Sequence, residues 1–397
     1  MAIIWFASGS EIRILSGVSM NNITRILACA AMAAFFVGTG GGFAAPAASP
    51  ATVPDAAPAI AERGAFDMAR WDYVLNDIRT RAAAQNISKS TIDATLKSPA
   101  FIPRIVHQDK NQSEFKMTLD DYLRRTVASS RIENGHKMAK KYPTLLHRVE
   151  QRYGVQPHVI LAFWGMESNY GARMSDHPLR DAFITLIYDG RRQTFFTNQL
   201  LALMKIADKN GDEITTMGGS WAGAMGHFQF IPTTLAQYGV DGNGDGKIDI
   251  AHSIGDAMMS AGNYLNKLGW NPNERIVRRV ILPADFDLTI LDGKTKKTVY
   301  EWAAIGVLNA DGAPLPASDM VAGLVADTRA IADARANATL AAIVDANNPN
   351  NVDTDIAPQP VITAYLTYPN FYRIKKWNNS NWYAIAIGEL SDQLREK

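Results

Sequence analysis

In the stretch "AFWGMESNYG", Glu167 closes an apolar run that extends from Ile160 to Met166. A carboxyl set among Phe163, Trp164 and Met166 loses hydration in its charged form, so its pKa rises and it can hold a proton near neutrality. A neutral acid of this kind can protonate a leaving oxygen, the first requirement for breaking a glycosidic bond. The plainer alternative is a solvated glutamate at a helix end. Pro157 suits the first turn of a helix and Gly171 the position just past the last, which places Glu167 in the final turn, facing the wall of a cleft.

Two further stretches carry chemistry. In "GGSWAGAMGHFQFIPTTLAQYGVD", Gly218 to Asp241, Gly218, Gly219, Gly223 and Gly226 allow close backbone approach, and Ser220, Gln229 and Thr233 offer hydrogen bonds beside Trp221, Phe228 and Phe230. Aromatic faces with uncharged polar groups suit a sugar ring; a glycine-rich turn feeding a buried helix is the structural alternative. In "DGNGDGKIDIAHSIGD", Asp241, Asn243, Asp245, the carbonyl of Lys247 and Asp249 occupy positions one, three, five, seven and nine of a calcium loop, with Gly246 at the sharp turn. His252 stands where a bidentate Glu is expected. Imidazole is a poor calcium ligand, so either Asp256 closes the shell or affinity is low.

These three motifs, continued by "YPNFYRIKKWNNSNWYAIAIGEL" near the C-terminus, resemble in their order the membrane-bound lytic transglycosylase B family of peptidoglycan-cleaving enzymes. The resemblance covers Phe66 to Leu390 except for a poorly patterned insertion at 328–360. It implies a lysozyme-like helical core with Glu167 as the single catalytic acid and base. It also implies sugar-contacting roles for Ser220, Gln229 and Tyr264, and cleft-lining positions for Tyr122 and the pair Arg191 and Arg192. Asn378 matches a family asparagine, and Trp377 stands where Tyr is usual, which keeps stacking but loses a hydroxyl. The activity implied is cleavage of the bond between N-acetylmuramic acid and N-acetylglucosamine, with the muramyl C6 hydroxyl closing a 1,6-anhydro ring without water. A lysozyme-type hydrolase would need a second carboxylate, and Asp176, Asp181 and Glu213 lie in polar stretches. A non-catalytic wall-binding protein gives no reason for an acid at the apolar end of that helix.

The elements that must position these residues are mainly helical, with a smaller β component (α+β). Apolar residues recur at three- and four-residue intervals over Phe66 to Ala84, and further helices fit Ser88 to Leu96, Leu119 to Ala128, Ile132 to Lys140, Leu145 to Tyr153, His158 to Tyr170, Thr197 to Ala207 and Trp382 to Arg395. After Trp270 the pattern changes: "ERIVRRVILP", "FDLTI" and "VITAYLTYP" are strand-like, with a short helix over Val299 to Ile305. The expected layout is a helical core over 66–274, a small mixed α/β segment over 275–369, and a returning helix within 370–397.

Location is written at the N-terminus. From Met20, which begins a well-formed signal by itself, Arg25, an apolar run from Ile26 to Val37 and small residues at Ala44, Ala45 and Ala47 form a secretory signal, placed at 1–48 and followed by an Ala/Pro-rich linker over 49–65. The single cysteine, Cys29, follows Arg25 too closely to end a lipoprotein signal, so a lipid anchor is not expected and the mature chain has no disulfide. Lys+Arg 40 against Asp+Glu 39 gives no electrostatic reason to expect nucleic acid. The expectation is a monomeric, exported, periplasmic protein that takes peptidoglycan glycan strands, with proteins of wall synthesis or remodelling as further partners and calcium as a structural ion.

Overall fold

The computed structural model describes residues 66–111, 117–346 and 361–395. The expected signal and linker, 1–65, and the stretch 347–360 of the insertion lie outside the described residues. Six helices open the domain: α1 (Met68–Ala84), α2 (Lys89–Leu96), α3 (Pro103–Lys110), α4 (Leu119–Thr126), α5 (Ser129–Lys141) and α6 (Pro143–Tyr153). Their starts are set locally. Asp67, Ser88 and Thr118 accept backbone N–H groups at the N-caps of α1, α2 and α4, while Pro103 and Pro143 occupy first turns, where a missing N–H costs nothing.

The next helix, α7 (Pro157–Ser168), is buried on every side from Val159 to Met166. A helix without a polar face has to lie inside a bundle, and α7 is surrounded by α5, α6 and two later helices, α11 (Ile254–Lys267) and α15 (Asn381–Leu394). Strand β1 (His177–Pro178) leads into the antiparallel pair α8 (Leu179–Asp189) and α9 (Gln193–Asn210), and β1 pairs with β2 (Gly218–Gly219), the start of the glycine-rich loop. Helices α10 (Pro232–Tyr238) and α11 (Ile254–Lys267) flank the acidic loop.

The remaining elements are β3 (Val277–Leu282), β4 (Lys297–Thr298), α12 (Val299–Ala304), β5 (Leu308–Asn309), β6 (Val321–Val325), α13 (Thr328–Ala346), β7 (Ile362–Thr367), α14 (Pro369–Trp377) and α15 (Asn381–Leu394). The strands form one antiparallel sheet in the order β4-β6-β7-β3-β5, with β3 and β7 in register from Val277 opposite Thr367 to Leu282 opposite Ile362. Trp302 sits beneath this sheet, fully buried, its indole N–H donating to the Ala322 carbonyl at 2.9 Å, and Val280, Leu324, Ala364 and Leu366 pack around it. Helix α15 then returns to the bundle beside α7. It passes close to β3 because Gly388 has no side chain; a Cβ there would stand 2.5 Å from Val277.

The mainly helical expectation holds, and two local expectations do not. "FDLTI" is not a strand: Asp287 accepts the Thr289 N–H and hydroxyl, which turns the chain into a single 3-10 turn over Leu288–Ile290. The first part of the unpatterned insertion is the helix α13. Its alanine-rich sequence favours helix without needing an apolar stripe, and Asp327 starts it by accepting the Ala330 N–H.

Candidate active site

Helix α7 stops earlier than Gly171. Asn169 (φ 49°), Tyr170 (φ 60°) and Gly171 (φ 84°) form three successive left-handed residues, so Ser168 is the last helical residue, Asn169 caps the helix through the Gly165 carbonyl, and Glu167 stands in the last turn. Asparagine tolerates this conformation; tyrosine does not do so readily. Tyr170 is held by its hydroxyl, which donates to the Arg131 carbonyl at 2.9 Å, and by an edge contact with the Trp164 ring.

Two donors converge on one oxygen of Glu167. The Tyr383 hydroxyl donates to Oε1 at 2.5 Å and the Trp377 indole N–H donates to the same atom at 3.1 Å. Burial pushes the carboxyl up to about 7, against the downward pull of these two bonds. Because Oε1 already receives two hydrogens, the proton of the neutral acid belongs on Oε2. Tyr383 is fully buried, and its own pKa is driven well up by desolvation and by Glu167, so it remains a donor.

Trp377 keeps its ring contacts, lacks the tyrosine hydroxyl, and offers an indole N–H in its place. Replacing tyrosine by tryptophan at this position does not remove the polar group, since the indole N–H meets the acid. Its ring also joins an aromatic wall, with centroids 4.7 Å from Phe163, 5.0 Å from Tyr264 and 5.2 Å from Phe230. Tyr264 stacks on Tyr238 at 4.6 Å and donates to the Lys376 carbonyl at 3.3 Å. Tyr122, on α4, is buried near Glu167 and packs against Trp382. Asn378 is buried at the end of α14, directly after Trp377.

The glycine-rich loop folds back on itself. Met225 and Phe230 exchange backbone hydrogen bonds at 2.8 and 3.0 Å, closing a tight turn in which Gln229 is left-handed (φ 49°) and its side-chain amide donates to the Gly226 carbonyl. Ser220 braces the loop, its hydroxyl oxygen accepting the Ala224 N–H at 2.9 Å. Gly226 (φ 65°) is packed so tightly that a Cβ would stand 2.3 Å from the Ile250 carbonyl oxygen. Gly226→Ala is therefore expected to lower stability by at least about 1–2 kcal/mol from backbone conformation alone, with the backbone clash added. A thermal melt matching wild type would show that the loop can shift away.

His227 was not visible as a functional residue in the sequence. Its Nδ1 accepts the Trp164 indole N–H at 3.1 Å, its carbonyl accepts the Ser168 hydroxyl at 2.7 Å, and its N–H donates to the Ile250 carbonyl. One residue thereby ties the helix of Glu167 to the glycine-rich loop and to the acidic loop. Arg191 and Arg192 were expected along the cleft; both guanidinium groups pair with Asp109, a carboxylate only 1% exposed at the end of α3. They fix the α8–α9 turn to α3, and neither bonds to Glu167.

In the acidic loop the side chains turn inward to backbone N–H groups. Asp241 accepts from Gly244 and Gly246, Asn243 from Asp245, Asp245 from Lys247, and Asp249 from Ala251 and His252. Fully buried Asp256 gives one oxygen to the Gly242 and Asn243 N–H groups and the other to that of Asp249. It acts as an internal brace, with both oxygens occupied. Among the described residues no three carboxylate or imidazole groups converge as a metal cluster. The oxygens of Asp241, Asn243, Asp245, Lys247 and Asp249 still suit a hard cation chemically.

A transglycosylase SLT domain model matches residues 70–392, nearly the whole described chain. The chain belongs to the transglycosylase SLT domain family. This SLT domain is 28% identical over 282 residues to membrane-bound lytic murein transglycosylase B of Escherichia coli K12, covering 69% of this chain and 66% of that protein, slightly less than two thirds of its length. It is similar in structure to SltB3 from Pseudomonas aeruginosa in complex with NAG-anhNAM-pentapeptide, at TM-score 0.70 and 35% identity, over 82% of this chain and 79% of that one. The fold is also that of Escherichia coli Slt35 in complex with calcium, at TM-score 0.63 and 24% identity, over 82% of this chain and 92% of that one.

Tyr383 is the site residue that the sequence signalled but left unassigned. A tyrosine opening the run "YAIAIG" needs a partner for its hydroxyl once that helix is buried, and Glu167 is the matching acid in an equally apolar run.

Proposed function

We propose that the chain is a lytic transglycosylase. It cleaves the β-1,4 bond between N-acetylmuramic acid and N-acetylglucosamine in peptidoglycan without water, with Glu167 as sole acid and base. One observation carries this reading: the pKa of Glu167 is set by burial and two donors, with no second carboxylate among the groups that perturb it. A two-carboxylate glycosidase keeps its pair roughly 5–9.5 Å apart, close enough for the second charge to add to the shift. Membership of the SLT family and the pentapeptide-bearing glycan in the SltB3 complex support the same substrate.

Each step follows from the two oxygens of Glu167. The Oε2 proton passes to the glycosidic oxygen as the bond to muramyl C1 breaks, and the muramyl N-acetyl oxygen stabilises the cation. The carboxylate, held by Tyr383 and Trp377, then takes the C6 hydroxyl proton as that oxygen bonds to C1. The 1,6-anhydro ring closes and the acid is again neutral. The aromatic wall of Trp377, Tyr264 and Phe230 offers faces for sugar rings, and it excludes water from the cation. Mass spectrometry of muropeptides released from purified sacculi tests the assignment. Anhydromuramic ends are expected, and products heavier by one water would make the enzyme a hydrolase.

Periplasmic action after export belongs to the same proposal, supported by the charged, apolar and small-residue order from Arg25 to Ala47. Among the described residues no helix is long and apolar enough to cross a membrane.

The acidic loop is proposed as a weak calcium site, held by Asp241, Asn243, Asp245, the Lys247 carbonyl and Asp249, where the ion would neutralise clustered carboxylates and stiffen the loop. With Asp256 committed to backbone N–H groups, low affinity is expected. Calcium at ten times its Kd should add about 1.4 kcal/mol, read as a higher Tm than in chelator. An unchanged Tm at high calcium would remove the ion from the account.

A further inference from the structure

Among the described residues, a group of lysines near the C-terminal end of α14 forms no ion pair with a carboxylate. Lys294, Lys296 and Lys297 follow the turn at Asp292 and Gly293, and Lys375 and Lys376 lie in the last turn of α14. Lys296 Nζ stands 3.5 Å from the centroid of the Tyr372 ring, in the space beside Gly323, and the charge of Lys375 acts on it. Tyr372 is three residues from Lys375 and four from Lys376, so the three share a face of α14. Among the described residues no carboxylate oxygen lies within ion-pair distance of any of these five lysines. Asp292, the carboxylate that acts on Lys296, gives its Oδ1 to the Lys294 and Thr295 N–H groups at 2.7 and 3.1 Å.

Lys296 thus has one nearby carboxylate, already bonded to backbone N–H groups, and the like charge of Lys375; an anion placed beside the two lysines would relieve their mutual repulsion. Desolvation brings Lys296 down to about 8 against the upward pull of Asp292, with a smaller push from Lys375, and burial also lowers Lys375. The patch does not reflect a generally basic chain, whose net charge is only +1. Its position is informative as well. Lys375 and Lys376 run directly into Trp377, which bonds Glu167, and the Lys376 carbonyl accepts the Tyr264 hydroxyl.

We propose that this lysine group holds the free carboxylates of the peptide stem that branches from the glycan strand being cleaved. The inference rests on the transglycosylase reading and adds the part of the substrate that lies beyond the sugars. An extended stem of four or five residues spans roughly 13–18 Å. That exceeds the roughly 5.4 Å of one turn of α14, the helix that carries both Trp377 and Lys375.

Binding tests this without turnover. The Glu167→Gln chain, and the same chain carrying Lys296→Gln and Lys375→Gln, are sedimented with intact sacculi and with glycan strands freed of peptides by an amidase. Each exposed ion pair contributes little, so the two lysine changes together should weaken sacculus binding roughly three- to tenfold. They should also flatten its salt dependence and leave binding to peptide-free strands unchanged. Lys296→Arg with Lys375→Arg should restore sacculus binding, and failure to do so with an unchanged melt would overturn the charge argument. Equal weakening on peptide-free strands would assign the lysines to the sugars. No weakening on sacculi would assign the patch to an acidic protein partner; either result overturns the proposal. If Glu167→Gln alone binds neither polymer, the transglycosylase reading fails and this inference fails with it.

Discussion

Glu167→Gln should abolish turnover and raise stability at the same time. Removing the one proton donor and acceptor is expected to lower kcat by about a thousandfold or more, at the upper end of what general acid–base catalysis supplies. Glycan binding should persist, because the amide keeps the shape and can still accept at the Oε1 position. Stability follows from linkage. An unfolded Glu ionises near 4.5 and the folded one at about 7, so between these values the unfolded state binds fewer protons. Wild-type stability therefore falls as pH rises from about 4.5 to about 7, and above that the loss, up to about 3 kcal/mol, is complete. The amide cannot ionise and escapes this loss. Its Tm should exceed that of wild type by several degrees at pH 8 and match it near pH 4. Lysis of sacculi at the wild-type rate would remove Glu167 from the mechanism; equal melts at both pH values would mean the carboxyl is solvated.

Tyr383→Phe should cost about ten- to a hundredfold in kcat, the equivalent of one hydrogen bond to a charged group. The ring would remain packed at an angle to Phe163, so the change is confined to the hydroxyl. That hydroxyl supports the ionised acid after its first proton transfer, and its loss leaves the carboxylate with Trp377 as its remaining donor on Oε1. The direction of the pH profile distinguishes this from general loosening. Activity needs the protonated acid, so its alkaline limb lies near the Glu167 pKa of about 7. Removing a donor to the charged form moves that limb upward. Trp377→Phe should shift it the same way by less, given the longer bond. A fall in kcat with an unmoved limb would make Tyr383 a packing residue only.

Local chemistry determined much of this protein from the sequence alone. The apolar run before Glu167 forced α7 into the interior, and burial of that helix raised the carboxyl's pKa. Ser88 and Pro157 marked helix starts in the sequence, and the structure caps α2 with Ser88 and begins α7 at Pro157. The positions that failed were those where a side chain's partner lies far along the chain or where local hydrogen bonds overrode periodicity. Asp287 turned an alternating stretch into a 3-10 turn, and Asn169 ended α7 before the glycine could.

Only the tertiary structure decided what Glu167 touches. Trp377 and Tyr383 lie more than 200 residues away, brought back by α14 and α15, and no periodicity encodes which of many aromatic residues will meet a given acid. The same holds for Asp109, which took the two arginines, and for His227, which joins three segments through one ring and its backbone. Composition and spacing set which residues must be buried, because desolvation is a property of the residue and its near neighbours. The partner that satisfies each buried polar group is chosen by packing, because it depends on which surfaces the whole chain brings together.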